Sequence, residues 1–337
     1  MNASPSASDA LRAALAGLLD GLPPTRAAQA VDRLIASYRG TTPTDAPVLR
    51  DRSDVVAYAA YRMPATFEAV REALGALRDA APDWVPATHT DVGGGTGAAT
   101  WAVADLWEDQ APRTAVLDWA EPALALGREL AAASGIPGLR AADWRRARIG
   151  AALTLDPADL VTVSYVLKEL TPADRTALVA EAARAARAVV VVEPGTPDGY
   201  ERIIAARDQL IGAGFTVAAP CPHSAACPIV PGSDWCHFAA RVSRSSLHRR
   251  VKGGSLAYED EKYAYIAAVR LAVAPESPVA PAPARVVRRP QIRKGQVLLE
   301  LCTADEGLAR RTVTKRHGDD YKAARDADWG DPWPPAP

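Results

Sequence analysis

Apolar residues follow two different periods along the chain, and the change comes near residue 85. In residues 1 to about 40 the leucines recur at helical spacing, and the Pro23-Pro24 pair divides them into two predicted helices. A further helix is predicted over Thr66–Leu77. The pattern therefore predicts an N-terminal helical region over residues 1–80, which caps the part of the chain that follows.

Short β-branched runs alternate with alanine-rich stretches from Thr88 onward. The predicted strands are THTDVGGG, RTAVLDW, LVTVSYVL and AVVVVEPG, and helices are predicted over 98–108, 121–134 and 172–187. This alternation is typical of α/β proteins with a parallel, doubly wound, Rossmann-like sheet, which binds its ligand at the carboxyl ends of the strands. We assign this domain to residues 81–273.

The regular alternation ends after Asp198. The segments that follow are a helix over 199–213, a Cys- and Pro-rich segment over 220–252, a strand over Tyr263–Val273, a Pro-rich linker over 274–284 and a C-terminal part over 285–337. The C-terminal part alternates apolar and polar residues to about Thr314, which predicts a small antiparallel β unit followed by an irregular tail.

Composition and charge narrow the class of protein. With 48% apolar and 23% charged residues among 337, the chain has ordinary globular usage, which argues against a fibrous or membrane-embedded protein. Its 39 basic and 40 acidic residues leave a net charge of -1, so no global field attracts nucleic acid. Any basic surface must be local, and residues 241–252 and 285–294 each hold five Lys or Arg and no acid. We expect no membrane partner and no DNA partner.

A glycine-rich loop lies between the first predicted strand and the helix after it. It reads Asp91-Val-Gly93-Gly-Gly95-Thr-Gly97, and glycines in this context let a ligand lie against backbone N–H groups. The spacing alone suits either a dinucleotide or S-adenosylmethionine. Asp91 favours S-adenosylmethionine, because a carboxylate there can meet an ammonium group and would repel a pyrophosphate.

Three further residues are predicted to line the same pocket. Asp118 ends the second strand about 20 residues beyond the loop, where a carboxylate can accept the ribose hydroxyls, although a helix N-cap is the alternative. Asp143, in the segment AADW, is predicted to follow the next strand, where an acid and an aromatic side chain can frame adenine. Ser164 ends the strand LVTVS and precedes Tyr165 rather than the Asn/Asp-Pro-Pro motif of nucleobase amino-group methyltransferases. No catalytic residue is assigned, since methyl transfer from a sulfonium needs little more than alignment.

The four cysteines form a second candidate site. They are Cys221, Cys227, Cys236 and Cys302, and without an export signal they are unsuited to disulfides. Four thiolates can complete the shell of a zinc ion or the corners of an iron-sulfur cluster. The absence of a C-x2-C spacing and the prolines after Cys221 and Cys227 favour a loop around a larger cluster. A Cys3His zinc site that uses His223, His237 or His248 is the alternative.

The glycine loop, the EPGTP turn over Glu193–Pro197, the CPH…CP…DWCHF segment and the distant Cys302 together resemble the Rsm22 family of small-ribosomal-subunit proteins, over about Tyr61 to Trp333. That family is similar to class I S-adenosylmethionine-dependent methyltransferases. The resemblance implies a methyltransferase sheet with a helical cap, a Cys-rich cluster-binding insertion and a small C-terminal β unit. It further implies a 4Fe-4S cluster on the four cysteines, an S-adenosylmethionine pocket lined by Gly93, Gly95, Gly97 and Asp118, and small-subunit rRNA as partner.

Two functions of different classes are compatible with this resemblance. The first is an active rRNA methyltransferase whose cluster shapes an RNA-binding face. The second is a catalytically inactive, methyltransferase-like assembly factor. A generic methyltransferase with a structural zinc site is a further alternative. The start of the sequence shows no secretory signal and no evident organellar presequence, so we expect a bacterial, cytoplasmic, ribosome-associated protein.

Overall fold

A computed structural model describes residues 6–19, 29, 52–230, 232–244, 256–270 and 279–335. The α-helices in these ranges are α1 (Ala7–Leu19), α2 (Arg52–Ala80), α3 (Ala98–Leu106), α4 (Glu121–Ala133), α5 (Pro137–Arg140), α6 (Pro172–Ala185), α7 (Pro197–Gly212) and α8 (Asp319–Asp326). None of them is long and apolar enough to cross a bilayer. The second helix predicted before residue 40 lies outside the described residues.

A large sheet forms the centre of the fold. Its strands are β1 (Thr88–Val92), β2 (Arg113–Asp118), β3 (Asp143–Arg146), β4 (Ala158–Ser164), β5 (Ala186–Pro194), β6 (Thr216–Ala219), β7 (Phe238–Ser243) and β8 (Tyr258–Val269). They lie in the order β3-β2-β1-β4-β5-β8-β6, with β7 beside β8. The chain runs outward from β1 through β2 to β3 and then continues on the other side of β1 with β4, so the strand order reverses between β1 and β4. Open α/β sheets bind ligands at such a switch point.

The sheet is mixed, so the prediction of a parallel sheet was wrong at one edge. Strands β1 to β5 are parallel, whereas β8 is antiparallel to β5, β6 and β7. Strand β8 also begins earlier than the predicted Tyr263. Its first half, YEDEK, alternates exposed and half-buried side chains and so lacks the apolar run that marks a buried strand. The short strands β3, β6 and β7 were not predicted.

Strand β5 shows how the core is divided between the two faces of the sheet. Val190 and Val192 pack with the cluster that includes α2, α3 and α4, whereas Val189 and Val191 pack with the cluster that includes α6 and α7. Successive side chains of a strand point to opposite faces, so a strand covered on both sides is apolar throughout. The run AVVVV is therefore the middle of a three-layer α/β/α structure.

A second, antiparallel sheet follows along the chain. Its strands are β9 (Ala284–Val286), β10 (Gln291–Arg293), β11 (Gln296–Thr303), β12 (Gly307–Thr314) and β13 (Pro332–Trp333). The order is β10-β11-β9-β13. Strands β10 and β9 pair with the two ends of β11, and β12 pairs with β11 along its whole length. Leu299 and Leu301 face a small core that includes Ala324 of α8, so Cys302 points to the opposite face. The tail predicted to be irregular contains β13, which pairs with β9.

A buried polar network joins the three central parallel strands. His89 of β1 contacts Thr114 Oγ1 of β2 at 3.3 Å and Thr162 Oγ1 of β4 at 2.9 Å. Thr162 Oγ1 donates to Asp91 Oδ1 at 3.0 Å, and the backbone N–H and hydroxyl of Thr100 donate to Asp91 Oδ2 at 3.2 and 3.0 Å. The network therefore fixes the start of α3 against β1 and β4. Buried polar groups that are satisfied in this way specify one register.

We predict that His89 makes the fold sensitive to acid. Burial lowers the pKa of His89 from 6.5 to about 3. Because the unfolded chain binds a proton below pH 6.5 and the folded chain does not, this group removes stability as the pH falls from 6.5 toward 3. Between pH 7 and pH 5 the loss from His89 is about 2 kcal/mol, at 1.36 kcal/mol per pKa unit.

Urea unfolding of the parent and of His89→Gln at pH 7 and pH 5 measures this loss. Burial raises the pKa of Asp91 to about 6, which acts in the opposite direction in both proteins, so the difference between them isolates His89. The exposed His317, changed to Gln, is the matched control. An equal pH dependence in the parent and His89→Gln would contradict the prediction.

Candidate functional site

Backbone hydrogen bonds hold the glycine loop against β2, and side chains from elsewhere in the chain pack against its glycines. Gly93 N and Gly94 N donate to Leu117 O at 2.7 and 3.2 Å. A Cβ atom on Gly93 would lie 2.1 Å from Val166 Cγ2, and one on Gly97 would lie 2.6 Å from Trp144 Cη2. Both glycines also have positive φ angles, of 69° and 87°. Their lack of a side chain is therefore required by internal packing.

Gly95 is the part of the loop that remains open to a ligand. A Cβ atom there would meet only Asp118 Oδ2, at 3.8 Å. Asp118 accepts hydrogen bonds from Gly95 N at 2.9 Å and from Ala120 N at 2.8 Å, and burial raises the pKa of its carboxyl group. The carboxylate thus ties the loop to the end of β2 and still has lone pairs for ribose hydroxyls.

Asp91 lies beneath the loop rather than in the pocket. Its side chain has no exposed surface, and both carboxylate oxygens accept hydrogen bonds from the threonines of the polar network. Direct contact of Asp91 with the ammonium group of a cofactor stays a prediction. Asp91 positions the loop and the first turn of α3.

Asp143 and Ser164 lie on β3 and β4, which are separated by β2 and β1 in the sheet. Asp143 begins β3 rather than following a strand, and its exposed carboxylate accepts a hydrogen bond from Arg145 Nε at 2.6 Å. Its aromatic neighbour Trp144 is buried against Gly97 and Gly127, so that ring is not free to frame an adenine. Ser164 is the last residue of β4 and is buried. A role of Asp143 or Ser164 in cofactor binding stays a prediction.

Tyr165 directly follows β4, and the ion pair between Arg62 and Glu261 holds its side chain in place. Its hydroxyl donates to Glu261 Oε1 at 3.2 Å, and Arg62 of α2 pairs with the same carboxylate at 2.9 Å. The Arg62 guanidinium also lies 5.7 Å from the centre of the Tyr165 ring. Tyr165 has a φ of 61°, which is rare for an aromatic residue. Such strain persists only where the surrounding contacts enforce it.

All four cysteines line one cavity, which has a volume of about 40 Å³. A cavity of about 10–15 Å³ already holds one water molecule, so this space is larger than one water needs. Cys221, Cys227 and Cys236 lie in the segment between β6 and β8, and Cys302 comes from β11 of the second sheet. The other lining residues are mainly apolar and include Ile203, Ile229, Phe238 and Tyr265.

Burial and mutual proximity disfavour the thiolate forms of Cys221, Cys236 and Cys302. Burial, followed by the neighbouring Cys221, Cys227 and Cys302, raises the pKa of Cys236 well above its usual range. Burial raises the pKa of Cys302 to about 12. A cationic centre in the cavity would offset this repulsion. Among the described residues, however, no three His, Cys, Asp or Glu side chains are arranged to hold a single metal ion.

Two buried arginines hold the cysteine-bearing backbone. Arg207 of α7 is 1% exposed, and its Nη2 donates to His223 O at 3.1 Å and to Ala225 O at 2.5 Å. Arg285 of β9 donates from Nε to Pro220 O at 3.0 Å and from Nη1 to Gly330 O at 2.9 Å. The sequence analysis missed both residues.

Of the two candidate histidines among the described residues, one reaches a thiol. His223 Nε2 lies 3.8 Å from Cys302 Sγ. The His237 ring is buried between Trp235 and Trp329, with centroid distances of 5.4 and 4.5 Å, and does not line the cavity. His248 lies outside the described residues. Tyr200, which the sequence analysis also missed, has its hydroxyl 3.2 Å from Cys227 Sγ.

Several cations of the two basic stretches are already paired. Arg241 and Arg244 bond to Asp260 and Glu259 of β8, at 2.7 and 3.1 Å, and residues 245–252 of that stretch are not described. In the second stretch, Arg285 is buried and Arg288 pairs with Asp234. The cations of residues 285–294 that remain exposed are Arg289, Arg293 and Lys294.

The second sheet adds two further cations beside them. Lys315 N donates to Gly295 O at 3.2 Å, which brings the end of β12 against the β10–β11 turn. Arg293, Lys294, Lys315 and Arg316 are all exposed and lie together there; we call this group the basic tip. Ion-pair partners for these four cations do not occur among the described side chains. The nearest acids along the chain are Asp319, which pairs with Lys322, and Asp320.

Comparison with known proteins identifies relatives over most of the chain. A family profile described as mitochondrial small ribosomal subunit Rsm22 matches residues 52–334. The human mitochondrial ribosome assembly protein METTL17 is 29% identical over 300 residues, which is 81% of this chain and 61% of METTL17. The Rsm22-cox11 tandem protein 2 of Schizosaccharomyces pombe is 26% identical over 187 residues, 43% of this chain and 24% of that protein. The chain thus spans less than two thirds of the length of either relative.

Solved methyltransferases are similar to the chain at low sequence identity and with TM-scores below 0.5. Magnesium protoporphyrin IX methyltransferase from Synechocystis is 15% identical with a TM-score of 0.40, and the match covers 72% of this chain and 94% of that one. The glycopeptide N-methyltransferase MtfA is 14% identical with a TM-score of 0.39, over 60% of this chain and 90% of that one.

Proposed function

Because the chain belongs to the mitochondrial small ribosomal subunit Rsm22 family, we propose that it is a methyltransferase-like assembly factor of the small ribosomal subunit that carries a 4Fe-4S cluster. The observation that supports this most directly is the convergence of every cysteine of the chain on one cavity. The cavity joins the Cys-rich segment of the α/β domain to the second sheet. A group bound there would therefore cross-link the two parts of the protein.

The arrangement of the thiols favours a cluster over a zinc ion. A structural zinc site brings four ligands within about 2.3 Å of one ion, whereas a 4Fe-4S cluster takes one cysteine at each of its four corners. The four cysteines line one cavity of about 40 Å³, which supports a group larger than a single ion. When bound, the cluster would supply the positive centre that buried thiolates need.

We predict that the protein purified without oxygen contains about four irons and four sulfides per chain, with a brown chromophore. Cys221→Ser and Cys236→Ser should each lose most of the iron, because each removes one corner ligand. Ser233→Ala, a change in the same segment away from the cavity, is the matched control and should keep it. One zinc and no sulfide per chain would contradict the cluster and support the structural zinc alternative.

We further propose that the small-subunit rRNA is the partner of this protein and that the basic tip contacts its phosphates. The tip places four exposed cations on one corner of the second sheet, where they carry no internal ion pair among the described residues. Because the net charge of the chain is -1, attraction to a polyanion must come from such a local group. Exposed Lys and Arg supply sequence-independent, salt-sensitive affinity.

We predict that Arg293→Gln/Lys294→Gln weakens binding to a labelled small-subunit rRNA stem-loop and flattens its salt dependence. Each lost phosphate contact should reduce the slope of log affinity against log salt by about 1. Arg310→Gln/Arg311→Gln is the matched control, since it changes the net charge equally but removes arginines that pair with Glu300 and Glu306. Equal effects of the two double variants would assign the loss to overall charge rather than to the basic tip.

Methyl transfer from S-adenosylmethionine is the second candidate function. The open face at Gly95 and the carboxylate of Asp118 support a nucleotide-like cofactor at the switch point of the sheet. Two observations favour the non-catalytic alternative. Tyr165 is tied to Glu261 and Arg62 beside the end of β4, and Trp144 is packed into the core. These contacts therefore support binding of the cofactor more strongly than they support methyl transfer.

We predict that the parent binds S-adenosylmethionine in a calorimetric titration and that Asp118→Asn weakens binding by about 10- to 100-fold. The loss follows from removing charge-assisted hydrogen bonds of about 1.5–3 kcal/mol each. Asp156→Asn, a change at a carboxylate that is 82% exposed, is the control. If the parent does not bind the cofactor at all, the methyltransferase function fails and the assembly-factor function stands alone.

The location of the protein stays a prediction. Both relatives named above are described as mitochondrial, so they do not support a bacterial, cytoplasmic chain.

A further inference from the structure

His223 brings a nitrogen atom to the one cavity thiol that comes from the second sheet. Its Nε2 lies 3.8 Å from Cys302 Sγ, although the two residues are 79 positions apart. Two ligands of one tetrahedral metal, with metal–nitrogen and metal–sulfur bonds of about 2.0 and 2.3 Å, lie roughly 3.6 Å from each other. The observed separation therefore suits two donors directed at the same point.

Hydrogen bonds to the neighbouring backbone fix the direction of the His223 ring. Arg207 Nη2 donates to both His223 O and Ala225 O, which holds this turn of backbone in place. His223 Nδ1 in turn lies 3.3 Å from Ala225 O. A carbonyl oxygen only accepts hydrogen bonds, so Nδ1 carries the hydrogen and, in the neutral ring, the lone pair of Nε2 faces Cys302.

This arrangement is the one found around metal-binding histidines. Such residues donate their second ring N–H to a backbone carbonyl or carboxylate, which sets the tautomer and the orientation of the ligating nitrogen. The carbonyl of Ala225 has that role here, and Arg207 positions it. The imidazole is thus prepared as a donor before any metal is bound.

The other three thiols have no comparable neighbour among the described residues. Cys227 contacts the hydroxyl of Tyr200, and His237, next to Cys236 in sequence, packs between two tryptophans away from the cavity. No described histidine bonds to Cys221. Among the described residues, a histidine nitrogen therefore lies beside only one of the four thiols, that of Cys302.

We propose that His223 is a reserve ligand for the metal corner that Cys302 faces. This inference rests on the proposed cluster and adds to it a residue outside the four cysteines. The corner has two donors, a thiolate from the second sheet and an imidazole from the Cys-rich segment. The bound group therefore stays attached to the α/β domain when Cys302 does not hold it.

Metal content of a set of anaerobically reconstituted variants tests the proposal. Cys302→Ala should keep more than about half of the parent's iron and sulfide, with an altered visible spectrum and a raised reduction potential, because histidine replaces cysteine at one iron. Cys221→Ala, which has no reserve donor, should lose most of its iron. Cys302→Ala/His223→Ala should be as empty as Cys221→Ala. Circular dichroism and thermal melting of each apo-protein check that it folds.

The proposal is overturned if Cys302→Ala is as empty as the double variant, or if the double variant keeps as much iron as Cys302→Ala. His223→Ala alone provides a second measurement that leaves all four cysteines in place. It should start with the parent's iron content and release iron to a chelator several-fold faster than the parent, and an equal rate would also overturn the proposal. A parent without metal would refute the proposed cluster itself, a result distinct from loss in Cys302→Ala alone.

Discussion

The segment that carries three of the four cysteines has almost no regular secondary structure, so its carbonyl groups depend on two buried guanidinium groups. Arg207 donates hydrogen bonds to the carbonyl oxygens of His223 and Ala225, and Arg285 donates one to the carbonyl oxygen of Pro220. Buried backbone polar groups must be paired, and a charge is buried only where hydrogen bonds compensate for its desolvation. Arg207 comes from α7 and Arg285 from the second sheet. The shape of the cysteine cavity and the docking of the second sheet therefore depend on the same contacts.

The turn over Glu193–Pro197 connects this cavity to the glycine-rich loop. Glu193 has no exposed surface, and its carboxylate accepts a hydrogen bond from Leu167 N at 3.0 Å and forms an ion pair with Arg202 at 2.6 Å. Val166, the residue before Leu167, packs against Gly93 of the glycine-rich loop. On the other side, Trp235 Nε1, one residue before Cys236, donates to Gly195 O at 3.0 Å. One short turn thus contacts the supports of both candidate sites. The EPGTP turn therefore has a structural role at both candidate sites.

Elements with strong periodicity could be predicted from the sequence, and elements defined by their partners could not. The helices α3, α4, α6 and α7 and strands β1, β2, β4 and β5 agree with the apolar pattern within a few residues. Strands β3, β6 and β7 are short, and each is stabilised by a neighbour that the local sequence does not reveal. Arg207 did leave a signal, since it occupies an apolar position of α7, four residues after Ile203 and three before Leu210. A cation at such a position indicates a buried acceptor, which here is the cysteine-bearing backbone.

The two candidate sites differ in what their polar groups are free to do. Near the carboxyl ends of the central parallel strands, Asp91 accepts hydrogen bonds from Thr100 and Thr162, and the Tyr165 hydroxyl donates to Glu261. These side chains therefore stabilise the fold. Around the cavity, four thiols line one space, burial raises the pKa of Cys221, Cys236 and Cys302, and His223 Nε2 faces the Cys302 thiol. A group that bound to these thiols would attach the second sheet and its basic tip to the α/β domain, because Cys302 comes from β11 and the other three cysteines come from the Cys-rich segment.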